Sequence, residues 1–182
     1  TGEVRLPGFE GEWEEVRLGE LITLQGGYAF KSNKYEKSGV PVVRISNIDK
    51  LINLHEDIVY YDYLDLSEKF LIKNGDLLIA MSGATTGKTG IYKNDEIAYL
   101  NQRVGRFVSK SKKLHYQYLY YIVEDESFKN QLSTKLVTGA QPNISSSDVE
   151  SLKINLPPIQ EQKAIAQILS TADKEIDLLN QE

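Results

Sequence analysis

The strongest constraint in the sequence is an apolar seam that begins after two consecutive prolines. Proline is tolerated in the first turn of a helix, so Pro157-Pro158 ends a strand and starts a helix at about Ile159. Along this helix, apolar residues recur in alternating steps of four and three: Ile165, Leu169, Ala172, Ile176 and Leu179. This is the 3.5-residue period of a coiled-coil seam. The sequence therefore predicts a long amphipathic helix that either folds onto its own domain or pairs with a helix of another copy or partner.

The residues before that helix have the composition of one globular domain. The chain has 182 residues, 41% apolar and 26% charged, and a chain of this size can bury an ordinary core. Residues 1–12 are rich in Gly and Glu and contain Pro7, so we expect an irregular lead-in there. We place one domain over residues 1–157 and the helix over residues 158–182.

Hydrophobic patterning predicts both strands and helices in the domain. Short apolar, β-branched segments predict strands over residues 40–45, 58–61, 76–81, 89–92, 103–108 and 154–156. Four-residue apolar spacing predicts a helix over residues 114–123, continued by Phe128, Leu132 and Leu136. Short helices are predicted at residues 66–71 and at the capping-box pattern of residues 147–150. The expected fold class is α+β: a twisted mixed β-sheet with peripheral helices and a long C-terminal helix of coiled-coil type.

Composition excludes several kinds of catalytic site. The chain has no cysteine, so disulfides, thiol nucleophiles and cysteine-based zinc or iron–sulfur sites are excluded. Only His55 and His115 could supply an imidazole, and neither has a nucleophile or metal-binding pattern beside it. No apolar segment approaches the roughly 20 residues of a membrane span, and the N-terminus lacks the apolar segment of a secretory signal. We expect a cytoplasmic protein with no membrane contact, no metal, no cofactor and no catalytic residue.

The net charge of −5 conceals a basic central region. Residues 1–20 carry a net charge of −4, residues 21–155 carry +2 and residues 156–182 carry −3. Between Ile97 and Val123 there is no Asp or Glu, and five basic side chains are interspersed with aromatic ones. Such cations neutralise phosphates, and aromatic rings stack on bases. The segment indicates a nucleic-acid contact; the alternative is a solvated basic loop followed by a helix that buries its tyrosines.

A loop rich in Gly and Thr follows the predicted strand 76–81. Its sequence, Gly83-Ala84-Thr85-Thr86-Gly87-Lys88-Thr89, is similar to a phosphate-binding P-loop, but three residues rather than four separate its glycines. A P-loop also opens a helix, whereas residues 90–92 are expected to be extended. A P-loop-like nucleotide-binding enzyme is therefore one alternative function, and a protein-interaction module acting through the C-terminal helix is another. In either case the glycines allow close approach to a phosphate, and Lys88 supplies a cation.

Several segments together resemble the DNA specificity subunit of type I restriction–modification systems. Residues 5–9, 13, 18–21, 26–32, 40–48, 75–79, 82–88 and 100–102 are similar to successive parts of that family. The most specific segments are Thr138-Gly139-Ala140-Gln141-Pro142-Asn143-Ile144 and Leu156-Pro157-Pro158-Ile159-Gln160-Glu161-Gln162. The second of these leads into the predicted helix, and the resemblance covers nearly the whole chain.

The resemblance implies a non-catalytic protein that reads DNA. It implies that residues 1–157 are a target recognition domain for one half of a bipartite target, and that residues 158–182 begin the spacer or dimerisation helix. The implied partners are double-stranded DNA, a methyltransferase subunit that binds S-adenosylmethionine, and an ATP-driven restriction subunit. The usual subunit of this family has two such domains and two long helices. This chain is therefore either a half-subunit that forms a homodimer through its helix or a part of a longer subunit.

With that resemblance, the loops expected to face DNA are residues 26–34, 82–90, 101–113 and 138–147. The candidates for phosphate or groove contact are cationic: Lys31, Lys88, Arg103, Arg106 and Lys112. The candidates for base edges are polar side chains, several of a type that bonds adenine or guanine bidentately: Tyr28, Ser32, Arg44, Gln102, Gln141 and Asn143. For Gln141 and Asn143 the alternative is hydrogen bonding within a turn at Pro142.

Overall fold

The computed structural model describes residues 5–52, 54, 57–136 and 142–180. The strands are β1 (Glu14–Arg17), β2 (Ile22–Gly26), β3 (Val40–Val43), β4 (Val59–Tyr61), β5 (Leu71–Ile72), β6 (Leu77–Ala80), β7 (Thr89–Ile91), β8 (Ala98–Leu100), β9 (Val104–Ser109) and β10 (Lys153–Leu156). The helices are α1 (Leu18–Leu21), α2 (Tyr116–Glu124), α3 (Glu126–Lys135), α4 (Ser146–Glu150) and α5 (Ile159–Leu179). Short 3₁₀ turns lie at Ser32–Lys34, Ile45–Asn47 and Glu68–Phe70.

The described strands form two four-stranded sheets and a two-stranded ribbon. The first sheet has the order β2-β9-β6-β7 and is antiparallel, whereas the second, β4-β3-β8-β5, contains a parallel pair in which Val42 lies opposite Tyr99. The ribbon pairs β1 with β10, so the two ends of the domain lie side by side. The predicted α+β fold with mixed strand directions and a long C-terminal helix is confirmed. The strands are divided among three sheets, however, where the sequence predicted one.

Strand β6 lies in the centre of the first sheet and is buried on both faces. Successive side chains of a strand point to opposite faces. Leu77 and Ile79 therefore join the main core, which includes the inner sides of α2 and α3, while Leu78 and Ala80 join a second core shared with β3 and β8. A strand covered on both faces has a continuous apolar sequence rather than an alternating one. For this reason β6 could be predicted from the sequence as a buried strand.

The helical region after β9 contains two helices where the sequence predicted one continuous pattern. Asp125 has an extended backbone, and its carboxylate accepts a hydrogen bond from the N–H of Ser127 at 2.8 Å. This N-cap ends α2 and starts α3, so Phe128 and Leu132 reach the core from a separate helix.

Two smaller predictions were also wrong. The capping box lies two residues earlier than expected, because Ser145 and Asp148 satisfy each other's backbone N–H groups and α4 begins at Ser146. The predicted helix at residues 66–71 is instead the 3₁₀ turn Glu68–Phe70 followed by the short strand β5.

Helix α5 is anchored at its start and exposed at its end. Ala166 is fully buried and Ile165 packs against the main core, whereas every described residue after Asp173 is exposed. The predicted seam is therefore divided: Ile165 packs on the chain's own domain, and Ile176 and Leu179 remain 55% and 70% exposed. No helix in the described part of the chain is long and apolar enough to cross a membrane.

Candidate nucleic-acid interface

Five segments that are distant in sequence meet where several strands begin or end. We call them the loop cluster: residues 26–34, 44–47, 82–88, 101–103 and 142–144. The N–H of Tyr28 donates to the carbonyl of Leu100 at 2.7 Å, and the N–H of Gln102 donates to the carbonyl of Tyr28 at 2.9 Å. The N–H of Asn101 donates to Val43 at 3.2 Å, directly before residues 44–47. These bonds join the first, second and fourth segments.

The Gly/Thr loop, residues 82–88, is joined to the remaining segments by its backbone and its threonines. Met81, directly before it, donates from its N–H to the carbonyl of Arg103 at 2.9 Å. Ser82 pairs with Asn143 as an antiparallel bridge. The hydroxyl of Thr85 donates to the carbonyl of Ile45 at 3.0 Å, and that of Thr86 donates to Pro142 at 3.0 Å. The threonines thus hold neighbouring segments together.

The geometry of the Gly/Thr loop contradicts the P-loop alternative. Gly83 and Gly87 have φ of +81° and +87°, values that favour glycine over residues with a Cβ. The tight turn between them leads into β7 at Thr89. A P-loop must instead open a helix whose first N–H groups hold the phosphates.

The loop cluster is basic and contains no acidic residue. Its segments hold five basic residues, namely Lys31, Lys34, Arg44, Lys88 and Arg103, and no Asp or Glu, although the whole chain has a net charge of −5. Lys31, Lys88 and Arg103 are exposed, and none of the ion pairs among the described residues involves them. The fold therefore concentrates positive charge that the sequence distributes over more than 70 positions.

The polar candidates in the cluster differ in their surroundings. Tyr28 is 37% exposed, and its ring packs edge-on against Phe30 and Phe70 at centroid distances of 5.0 and 5.5 Å. Ser32 and Gln102 are exposed, Ser32 at the start of a 3₁₀ turn. The backbone of Asn143 pairs with Ser82 in an isolated β-bridge. Gln141 lies outside the described residues, as do His55 and residues 137–140.

Two arginines that the sequence suggested for DNA contact are engaged within the domain. The side chain of Arg106 is 13% exposed, and its guanidinium donates to the carbonyl of Leu71 and lies 3.3 Å from the carboxylate of Asp76. The side chain of Arg44 is 25% exposed, and its guanidinium lies 3.0 Å from the carboxylate of Asp57. Arg106 therefore holds strands together and is left out of the interface proposed below, whereas Arg44 belongs to the loop cluster but has its charge paired with Asp57.

Lys112 lies at the opposite end of β9 from the loop cluster. Arg103 precedes this strand and Lys112 follows it, and the strand's five residue-to-residue steps span about 17 Å. Lys112 instead borders a groove with Glu12, Glu14 and Pro157. Residues 101–113 therefore do not form one loop, because β9 separates the two ends of this segment.

The aromatic residues of the acid-free segment belong to the core. Tyr99 and Phe107 are 1% exposed, and Tyr118 is 7% exposed. The hydroxyl of Tyr116 accepts from the N–H of Leu77 at 3.0 Å and donates to the carbonyl of Phe107 at 2.8 Å, and its burial raises its pKa to about 12. The alternative in which the tyrosines pack within the fold is thus correct, and the interspersed aromatic pattern is not a stacking surface.

Sequence reasoning missed three side chains that join the domain to α5. The carboxylate of Glu161 is fully buried, and Oε1 accepts from Nε of Arg5 at 3.1 Å. Gln162, also fully buried, bonds three backbone groups. Glu161 and Gln162 lie in the motif at residues 156–162, one of the two most specific segments. Two adjacent polar residues at the start of an apolar helix face were the sequence signal that could have identified these anchors.

Comparison with known families shows the class of domain. Residues 10–182 match the model of the family described as "Type I restriction modification DNA specificity domain". The chain belongs to this family.

Individual relatives are specificity subunits. The chain is 36% identical over 177 residues to the type I restriction enzyme MjaVIII specificity subunit of Methanocaldococcus jannaschii. The aligned region covers 94% of this chain and 42% of that protein. It is 27% identical to the EcoBI specificity subunit of Escherichia coli, over 94% of this chain and 35% of that protein. Its fold is similar to the HsdS subunit from Thermoanaerobacter tengcongensis, with a TM-score of 0.65 at 20% identity over 100% of this chain and 41% of that one. The chain thus spans less than half the length of these relatives.

Proposed function

We propose that this domain binds double-stranded DNA through the loop cluster and reads one half of a bipartite target within a type I restriction–modification complex. The observation that carries the proposal is that hydrogen bonds and a β-bridge join five segments that hold five basic and no acidic residues. A surface of this charge lowers the free energy of binding to a phosphate backbone by releasing counterions. Glycines in two of the segments allow the backbone to approach closely.

Side chains of the cluster divide into two proposed roles. Lys31, Lys88 and Arg103 are exposed cations without an acidic partner, so they contact phosphates and set the position of the domain. Gln102, Ser32 and Tyr28 belong to the same segments as Lys31 and Arg103, are exposed, and read base edges. Asn143 and Gln141 remain candidates for the same role on the fifth segment and the residues before it.

The domain itself carries no catalytic step in this proposal. It directs a methyltransferase subunit, and a restriction subunit with it, to the recognised sequence in the cytoplasm. The specificity names of the relatives and the family match support this role.

We also propose that the exposed side of α5 pairs with the corresponding helix of a second specificity unit, a second copy of this chain in the simplest case.

Replacement of Lys88 by alanine tests the role of the cluster. If Lys88 neutralises one phosphate, Lys88→Ala weakens binding to all duplexes alike and reduces the slope of log K against log salt concentration by about one unit. Fluorescence anisotropy with a target duplex and an unrelated duplex, each at several salt concentrations, measures both quantities.

The matched control is Lys163→Ala, which removes an exposed lysine from α5 outside the cluster and should leave the slope unchanged. A loss of affinity confined to one sequence would assign Lys88 to base reading instead, because base contacts cost about 1–3 kcal/mol at a single base pair. Equal slopes for Lys88→Ala and Lys163→Ala would refute the interface.

A further inference from the structure

Asp173 is the last residue of α5 that is not exposed, and it bonds two separate parts of the domain. The hydroxyl of Tyr121 in α2 donates to Oδ2 of Asp173 at 3.0 Å. Nζ of Lys50 lies 3.4 Å from Oδ1 of the same carboxylate. Every described residue after Asp173 is exposed. The two bonds therefore lie where the helix leaves the domain.

The domain holds the ring of Tyr121 and the backbone of Lys50, whereas the side chain of Lys50 is 61% exposed. The ring of Tyr121 packs against the main core. Burial, and then the hydrogen bond to Asp173, raise the pKa of Tyr121, so its hydroxyl stays protonated and donates to the carboxylate even above the usual pKa of tyrosine. The backbone of Lys50 is paired with β7, because its carbonyl accepts from the N–H of Ile91 at 3.2 Å, and Ile52 donates back to Ile91 at 3.2 Å.

The segment that carries Lys50 is also in contact with the strand that follows the Gly/Thr loop. Gly90 lies so close to Asp49 that a Cβ at position 90 would be 1.9 Å from the Asp49 carbonyl oxygen. Lys50 shares a groove with Gly87 and Lys88 of the loop cluster. One partner of Asp173 is therefore attached to the proposed DNA-reading surface and the other to the helical side of the domain.

Asp173 lies far enough along α5 from the first anchor to restrict the tilt of the helix. The other polar anchor, Gln162, is 11 residues earlier, or about 17 Å at a rise of about 1.5 Å per residue. The buried apolar contacts of Ile165 and Ala166 lie near that first anchor. If the helix tilted by about 20° about Gln162, residue 177 would move by about 8 Å.

We propose that Asp173 is a positioning residue that fixes the angle at which α5 leaves the recognition domain. This inference rests on the proposed function, in which α5 is the spacer between two DNA-reading domains. Under that function the angle sets the separation and rotation of the two half-sites, whereas the bases within each half-site are read by the loop cluster. Asp173 therefore determines the accepted spacer length without contacting DNA.

Double electron–electron resonance on the 182-residue chain tests the angle directly. The chain has no cysteine, so nitroxide labels on Lys93→Cys and Asp177→Cys report one distance between the domain and the end of α5. Dilution with unlabelled chain removes distances between copies. Asp173→Ala and Tyr121→Phe should shift the mean distance by several ångströms or broaden its distribution to that extent, and Lys50→Ala should have the same effect to a smaller degree.

Glu175→Ala is the matched control, because it removes a carboxylate from an exposed position of the same helix; its distance distribution should equal that of the parent chain. Asp173→Glu keeps the carboxylate, so its distance distribution should be closer to that of the parent chain than the distribution of Asp173→Ala is. Tyr121→Phe keeps the buried ring, so it remains informative if Asp173→Ala unfolds the domain. A parent-like distribution in both Asp173→Ala and Tyr121→Phe would overturn the inference.

Target selection in the assembled complex separates this inference from the proposed function. Methylation mapping first identifies the target of the parent chain. The affinity of the complex for that target is then compared with its affinity for duplexes whose half-site spacing is one base pair shorter or longer. Asp173→Ala should lose the preference for one spacing and keep the preferred bases in each half-site. An unchanged spacing preference would refute the positioning role alone. Absence of any sequence preference in the parent complex, together with an altered distance distribution, would refute the proposed function and leave the control of helix angle intact.

Discussion

At the residue scale, the side-chain amide of Gln162 joins three parts of the backbone. Its Oε1 accepts from the N–H of His115 at 2.8 Å, and its Nε2 donates to the carbonyls of Lys113 and Pro157 at 2.8 Å each. The amide is fully buried, so water cannot replace these bonds. Gln162 therefore connects the start of α5 to the segment between β9 and α2.

Truncation of this amide should destabilise the domain. Gln162→Ala leaves one N–H and two carbonyl groups unpaired in the interior, and a buried unpaired group costs about 1–3 kcal/mol, so we expect a loss of about 3 kcal/mol or more. Urea unfolding followed by circular dichroism measures it. Gln167→Ala removes an exposed amide from the same helix and should change stability little. A similar effect of both substitutions would show that the three bonds do not stabilise the fold.

At the element scale, α5 divides its apolar residues between two surfaces. Ile165 and Ala166 pack on the domain, whereas Ile168 and Ile176 are 52% and 55% exposed and Leu179 is 70% exposed. The helix predicted from the 3.5-residue period is present, but the chain's own domain covers only the first part of the seam. The exposed part is the surface that we assign to a second helix.

A charge within the exposed part should prevent that pairing. Ile176→Asp places a carboxylate among apolar side chains and should abolish self-association, because burying an unpaired charge costs several kcal/mol. Sedimentation velocity over a range of concentrations measures the association. Lys174→Ala, at an exposed polar position of α5, should associate like the parent chain. A parent chain that sediments as a monomer throughout, with Ile176 protected from exchange, would contradict pairing between copies.

At the scale of the whole molecule, buried tyrosines make the fold sensitive to alkaline pH. Burial raises the pKa values of Tyr92, Tyr116 and Tyr118 to about 12, from about 10 in the unfolded chain. Below pH 10 these groups are protonated in both states. Between pH 10 and 12 the unfolded chain loses protons that the folded domain retains, so the free energy of unfolding falls as pH rises.

Tyr116 gives the sharpest test of this dependence. It contributes up to about 1.4 kcal/mol of stability loss per pH unit between pH 10 and 12. Tyr116→Phe should be less stable than the parent at pH 8, because it leaves the N–H of Leu77 unpaired, but its stability should fall less steeply above pH 10. Urea unfolding at pH values from 8 to 12 measures both slopes. Parallel slopes would show that Tyr116 ionises equally in both states.

Patterns among neighbouring residues were enough to predict the elements that depend on the local sequence alone. Strand β6 is a continuous apolar segment, Pro157 and Pro158 mark the start of α5, and the family motifs are contiguous. Each signal depends on the period or conformational preference of neighbouring residues, and these preferences act within a few positions. Strands β1, β2, β5 and β8 were missed because they are short and gain their stability from partners far along the chain.

By itself, the sequence determined the fold class, the helix at the C-terminal end, the basic centre of the chain and the resemblance to a family. Only the tertiary structure decided which cations share a surface. Arg103 and Lys112 are nine positions apart but lie at opposite ends of β9, whereas Lys31, Lys88 and Arg103 belong to segments joined by hydrogen bonds. The physical reason is that local preferences fix each strand, while the pairing of distant strands and the packing of both their faces fix where the loops meet.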